Sequence, residues 1–441
     1  MRRKAFLMAW LGSLAFSATA FAFSPPGHTR ILRFPQGKAG AVSLTFDDGT
    51  ENQFKLALPV LHGLGLPATF FIITGEVQGS LNHQRFVGRP FAEILKESAE
   101  HPTSEANFFE RASALWSCGY QGMGDISLQI GGAYEAGKKD EAMRLADETL
   151  KKIREQTLKP EPGQEQGVKQ ATGTLTWDQL RRDAAYGFEM ASHSVSHPYL
   201  CVMDDANLEY ELNKSRQEIL AELGPKHTFS VECPFGIEDK RAVGKALELY
   251  ELARNRMPDT EVLDILRSED SDPALATGKE YVRWQRGPHS DTAPGLMQEW
   301  VDKTAAQDKT WLVLVFHGVE GIGWQPKPIA ELTRYFEYIK ARRKKLWVAT
   351  FQDVGKYIRE RLHTKVSSQI HKDSIEIRLD CPLDPALYSL GLSLKTALPK
   401  SWKKVRIAQA GAVQVVPAVD NEVMYTAFPG SGPVTLTEVT P

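Results

Sequence analysis

The sequence predicts an α/β fold: a (β/α) barrel, incomplete or distorted and seven-stranded. A helical insertion interrupts it and a small all-β, sandwich-like domain follows it. Three observations predict this. Apolar, β-branched runs alternate with segments of helical spacing in about seven units, which is the scale of a barrel. Between residues of about 80 and 172 that rhythm gives way to helices alone. From residue 364 the apolar period falls to two, with Pro, Gly and Asn between short runs. The expected division is therefore 1–22, a leader; 23–363, the barrel with its insertion; and 364–441, the β domain.

The leader comes first. "MRRK" is basic, "AFLMAWLGSLAF" is apolar, and "SATAFA" offers the small residues a signal peptidase reads, with cleavage expected after Ala22. The apolar run is shorter than a membrane span, and no cysteine follows the cleavage point to carry a lipid. Export is expected, to a periplasm or beyond, with no transmembrane anchor afterwards. Loss of the leader leaves 50 basic against 55 acidic residues, a net charge of about −5, which gives no reason to expect a nucleic-acid partner. The four cysteines contain no CxxC pair, so a cysteine-held zinc is not expected. Buried free thiols and a single disulfide both remain open.

In the barrel, "AVSLTF" and "PATFFIIT" read as buried strands. Between them "NQFKLALPVLHGLG" places Phe54, Leu58, Leu61 and Leu64 on one helical face and ends in glycine. In the insertion, "RPFAEILKESAE", "EANFFERASALW" and "KDEAMRLADETLKKIREQTL" read as helices, the last amphipathic. The strands "FEMAS", "TFSVEC", "ELARNRM", "WLVLVFHG" and "LWVATF", each near a helical segment, continue the barrel. "DSIEIRLD", "LSLKTAL", "KKVRIAQ", "AVQVVPAV", "EVMYTAF" and "PVTLTEV" make the β domain.

Three polar clusters fall at the C-terminal ends of these strands: "TFDDG", "HSVSHP" and "FHG". That rim is where a β/α barrel builds its active site, so Asp47, Asp48, His193, His197 and His317 are expected on one face. One carboxylate and two histidines make a three-ligand set for Zn²⁺ with a position left open. A second carboxylate and a third histidine then supply a base and an acid. Singly, each has an ordinary reading: a turn, two surface histidines, a structural histidine. Their conjunction on successive strand ends makes that reading improbable.

These motifs resemble motifs one, two and five of the polysaccharide deacetylases, the NodB-homology carbohydrate esterases of family 4. "CPFG" and "RWQRG" resemble motifs three and four. The resemblance implies Asp47 as general base, Asp48, His193 and His197 as metal ligands, and His317 as general acid. It also implies Phe235 as donor of a backbone N–H to the oxyanion. The implied cofactor is a divalent metal, Zn²⁺ first, with Co²⁺ or Ni²⁺ as alternatives. Trp284 is implied as a wall of the acyl pocket, and Trp324 is expected near a sugar subsite, although core packing fits both equally. Glu232 stands where the family carries an arginine that steadies the base. Arg283 or Arg286 is the expected replacement, with Arg286 at the substrate site. Cys201 and Cys233 fall near these motifs, and a bridge between them stays open. The implied activity is removal of N-acetyl groups from the GlcNAc units of a glycan such as chitin, peptidoglycan or poly-N-acetylglucosamine. O-acetyl hydrolysis on xylan, and a non-catalytic glycan-binding protein, are the alternatives.

Overall fold

The computed structural model describes residues 24–161, 173–237, 239–255, 273 and 280–439, with the backbone of 265–266. The expected leader lies outside the described residues. In chain order, the strands before the β domain are β1 Thr29–Ile31, β2 Gly40–Phe46, β3 Thr69–Ile72, β4 Glu189–Ser192 and β5 Ser230–Val231. They continue with β6 Leu252–Ala253, β7 Ile265–Leu266, β8 Val282–Arg286, β9 Thr310–Phe316 and β10 Leu346–Val348.

All of these except β1 form one parallel sheet of nine strands in the order β6-β5-β4-β3-β2-β9-β8-β7, with β10 paired to the start of β2. The seven expected strands are all present. The two additions are β7, which is two residues long, and β8, whose "VRWQR" is wholly buried yet mostly polar. β2 and β9 are neighbours in the interior of the sheet, and every residue of both is buried, as a strand covered on both faces requires.

Side chains alternate across the sheet. Val42, Leu44 and Phe46 join Phe70, Leu314 and Phe316 and pack against Phe54, Leu58 and Leu61 of the following helical segment. Ala41, Phe71, Ala191, Trp311, Val313 and Val315 belong to a second core on the other face, inside the curl. The sheet is open: β6 and β7 have no further strand partner among the described residues.

The insertion contains the three expected helices, at Phe91–Glu97, Phe108–Trp116 and Lys139–Arg154, and a fourth, Met123–Glu135. The last of the expected three buries Ala142, Ala146, Leu150 and Ile153 and exposes its lysines and glutamates.

The β domain contains β11 Lys365–Ile370, β12 Ser374–Asp380, β13 Leu392–Ala397 and β14 Lys404–Gln409. β15 Ala412–Pro417, β16 Glu422–Ala427 and β17 Val434–Glu438 complete it. A sheet β11-β12-β17-β14-β15 and a sheet β1-β13-β16 enclose a core that includes Ile377, Trp402, Ile407, Tyr425 and Leu436. The sandwich thus borrows β1 from ahead of the barrel, paired antiparallel with β13. Residues 364–441 alone do not complete it.

Candidate metal centre

Five side chains stand one residue past the C-terminal end of a parallel strand: Asp47 after β2, His193 after β4, Glu232 after β5, Arg254 after β6 and His317 after β9. Register makes them neighbours. Ser192 pairs with Val231 and Val231 with Ala253, so His193, Glu232 and Arg254 follow in line; Phe46 pairs with Phe316, placing Asp47 beside His317.

Asp48 Oδ1 lies 3.7 Å from His193 Nε2 and 3.4 Å from His197 Nε2. One ligand atom from each of the three lies within 4.8 Å of the others. This donor set fits a divalent cation with borderline affinity for nitrogen and oxygen. Two further observations support the fit. His193 Nδ1 is 2.9 Å from the carbonyl of Glu232, which sets the tautomer and leaves Nε2 aimed at Asp48. Burial pushes both histidines down to about 4, so each is a neutral donor at pH 7. Burial also raises the Asp48 carboxyl, against the pull of His197.

The loop between the two histidines is pinned. Glu211, on helix Asp205–Leu223, accepts from the Val195 and Ser196 N–H groups at 3.0 and 2.8 Å and from the Ser196 hydroxyl at 2.6 Å. Burial holds that carboxyl up, at about 7. Backbone strain gathers here as well: Asp48, Ser194, His197 and Phe235 all have positive φ, between 60° and 74°. For residues other than glycine that conformation costs on the order of 1 kcal/mol or more each, and it persists only where the surroundings impose it.

Asp47 is 2 % exposed and is gripped by an arginine that the sequence reading did not single out. The Arg254 guanidinium donates from Nη1 to Asp47 Oδ1 at 2.7 Å and from Nη2 to Oδ2. It also donates to Thr45 Oγ1 at 2.8 Å and from Nε to Glu232 Oε2 at 3.0 Å. The Phe71 ring lies beneath it at 4.8 Å. Burial alone would raise the Asp47 carboxyl, but Arg254, with His317, outweighs it and holds the acid well below the usual carboxylate range. The cation missing at Glu232 therefore comes from the adjacent strand end, from neither Arg283 nor Arg286.

The Arg283 guanidinium donates to the Ala253, Arg254 and Asn255 carbonyls and so braces the segment that presents Arg254. Trp284 packs in the outer core with Leu312, and Arg286 lies over its ring at 4.7 Å. Neither is among the residues that line the cavity; both lie on the outward face of β8.

His317 Nε2 is 3.3 Å from Asp47 Oδ2. Gln53, fully buried and also missed by the sequence reading, ties the two strand ends together. Its amide donates to the Asp47 carbonyl at 2.5 Å and to the His317 carbonyl at 2.7 Å. A charged residue one place beyond a strand end is the signal that could have found Arg254. Gln53 carried no such mark.

These groups line a cavity of about 640 Å³. Asp47, Asp48 and the three histidines line it, together with two apolar walls. On one, Phe235 packs its ring edge-on against His197 at 4.6 Å and stacks on Tyr199 at 5.0 Å. On the other, Trp324 lies edge-on to His317 at 4.8 Å and to His289 at 5.1 Å. Phe235 and Trp324 are 44 % and 54 % exposed. No disulfide joins any of the four cysteines, and Cys201 and Cys233 are buried without a bridge between them.

Residues 35–108 and 147–251 match the family model of the polysaccharide deacetylases. No curated protein matches the chain. Among solved structures, a putative polysaccharide deacetylase from Mycobacterium smegmatis is 13 % identical with a TM-score of 0.38, over 78 % of this chain and 98 % of that one. The CE4 domain of a multidomain xylanase from the hindgut metagenome of Trinervitermes trinervoides is 12 % identical with a TM-score of 0.33, over 71 % and 89 %. A family 4 carbohydrate esterase from Bacillus anthracis is 16 % identical with a TM-score of 0.32, over 72 % and 83 %.

Proposed function

We propose, from the premise that this chain carries a polysaccharide deacetylase domain, that it is a metal-dependent hydrolase removing N-acetyl groups from the GlcNAc units of a glycan. The observation that carries this reading is the pair of adjacent carboxylates with separate partners: Asp48 on the two histidines, Asp47 on Arg254 and His317.

Asp48, His193 and His197 would hold the cation. A Zn²⁺ ion, or Co²⁺ or Ni²⁺, supplies polarisation of the acetyl carbonyl and lowers the pKa of water it binds. The rest is done by the chain. Asp47, kept ionised by Arg254, accepts the proton of the attacking water at Oδ2. His317, in contact with the same oxygen, delivers a proton to the departing amine nitrogen. The Phe235 backbone N–H, held by its positive φ beside His197, donates to the oxyanion; one such donor is worth roughly 3 kcal/mol of barrier. Gln53 keeps acid and base in register by spanning their carbonyls.

The basic and apolar N-terminus fits export, and among the described residues no helix is long and apolar enough to cross a membrane. Acetate release from penta-N-acetylchitopentaose tests the reading. Release should stop in excess chelator and return with Zn²⁺ or Co²⁺. Full activity in chelator, or no release from any acetylated glycan, would overturn it.

A further inference from the structure

The family match passes over residues 109–146, and that skipped stretch contains helix Met123–Glu135 of the insertion. The helix reaches the cavity. Leu128, 44 % exposed, lines it together with Asp48 and His197. Behind Leu128 the helix grips Tyr199 at two points. Gly131 lies so close to the Tyr199 ring that a Cβ there would stand 2.3 Å from it, and the Tyr199 hydroxyl donates to Glu135 Oε2 at 2.7 Å. Tyr199 in turn stacks on Phe235 with ring planes 16° apart, and Phe235 meets His197. A continuous apolar wall therefore runs from the insertion helix to a candidate metal ligand.

We propose that Leu128, Tyr199 and Phe235 form a pyranose-binding subsite, and that Leu128 is its specificity-determining residue. The proposal rests on the hydrolase reading above and goes beyond it by assigning the insertion a part in substrate choice. Leu128 and Phe235, each 44 % exposed with the buried Tyr199 behind them, mark a binding surface in this concave site, because covering them releases unfavourable hydration. A pyranose ring offers the complementary shape, with C–H groups on its faces and hydroxyls at its edges. Seated against this wall and the Trp324 wall, it would cover both while its acetamido arm reaches the charged residues between them. An acetyl group on a small ester has no ring to place there. The wall thus distinguishes a glycan from a small acetate.

Binding isolates this from turnover. In an Asp47→Asn background, the Kd for penta-N-acetylchitopentaose is measured by calorimetry, with a melting curve to confirm that each variant is folded. Adding Leu128→Ser should raise the Kd about tenfold, the effect of losing one well-placed aliphatic contact, and Leu128→Met should stay within twofold of Leu. Equal affinity for Ser and Leu at 128 would overturn the subsite, and so would the absence of binding by the Asp47→Asn parent. Wild-type acetate release from the same pentasaccharide reads the activity separately. Release with a Kd indifferent to Leu128 overturns the subsite alone. A tenfold change in Kd without any release overturns the hydrolase and leaves the subsite.

Discussion

Removing the Arg254 guanidinium should damage both the fold and the chemistry, and the structure says how. Arg254, Asp47 and Glu232 are each 2 % exposed or less, so Arg254→Met leaves two buried carboxylates with no cation between them. Breaking a buried pair by removing one partner costs about 3–5 kcal/mol. The pH dependence should also change sign. In the wild type Asp47 is held below its unfolded value, so its contribution to stability is present above the unfolded pKa and is lost as pH falls through the folded one. Without Arg254, burial becomes the dominant influence and raises the carboxyl. The folded state then binds the extra proton, so stability falls as pH rises above about 4.

Urea unfolding of wild type and Arg254→Met at pH 5 and pH 8, in chelator so that only the chain's charges act, reads both effects. With Asp47 in its proposed role as base, turnover at pH 7 should fall by at least about 100-fold, because the protonated carboxyl cannot accept a proton. A variant within about 1 kcal/mol of wild type at both pH values, or turnover within twofold, would refute the account. The double variant Glu232→Arg with Arg254→Met returns a cation one strand over, at a position in register with the original, and should recover part of the lost turnover.

Two further expectations follow from buried groups elsewhere. His227 Nδ1 accepts the Met190 N–H at 3.1 Å, and burial pushes the ring down to about 4. Burial depresses its folded value, so the stability that goes with the neutral ring is present at neutral pH and is lost as pH falls from about 6.5 to 4, about 3 kcal/mol in all. His227→Asn, which keeps an acceptor that does not titrate, should flatten that acid limb in urea titrations; an unchanged limb would assign it to other groups. Trp284→Phe loses buried area but also removes an indole N–H that has no partner among the described residues. Stability should therefore stay within about 1 kcal/mol of wild type. The KM for an acetylated glycan should stay within twofold, whereas a severalfold rise would return Trp284 to the substrate site.

The fold was legible where physics is local. Six of the seven expected barrel strands are apolar or β-branched runs near helical spacing, the mostly polar "ELARNRM" is placed by the helix ahead of it, and all seven formed. β8 was hidden because "VRWQR" buries two arginines and a glutamine, and the carbonyls that Arg283 meets belong to the distant β6 and the residues just after it. Helix Met123–Glu135 was hidden by Gly124, Gly131 and Gly132, each unfavourable in a helix by about 1 kcal/mol. At Gly131 that cost is what lets the Tyr199 ring approach. β1 could not be assigned from its three residues, since its partner β13 is most of the chain away.

The site divides in the same way, and β8 shows why. Asp47, Asp48, His193, His197 and His317 were legible because each lies at or just beyond the end of an apolar run. Within β8 the choice between cavity and core turns on parity. Gln285 lines the cavity and Arg283 points inward to β6, while Trp284 and Arg286 turn outward. A strand buried on both faces carries no alternation of polarity to reveal which parity is which, so a motif alone does not say on which face Trp284 and Arg286 fall. The exchange of Glu232 and Arg254 has a different cause. Strand ends in register offer interchangeable places for a charge, and a guanidinium long enough to cross from β6 can steady Asp47 as well as one rising from β5. Glu232 then fills its own position as the second carboxylate on that arginine, and its carbonyl orients His193. What the buried Asp47 carboxylate requires is a cation within reach, and the curl of the sheet lets a strand other than β5 supply it.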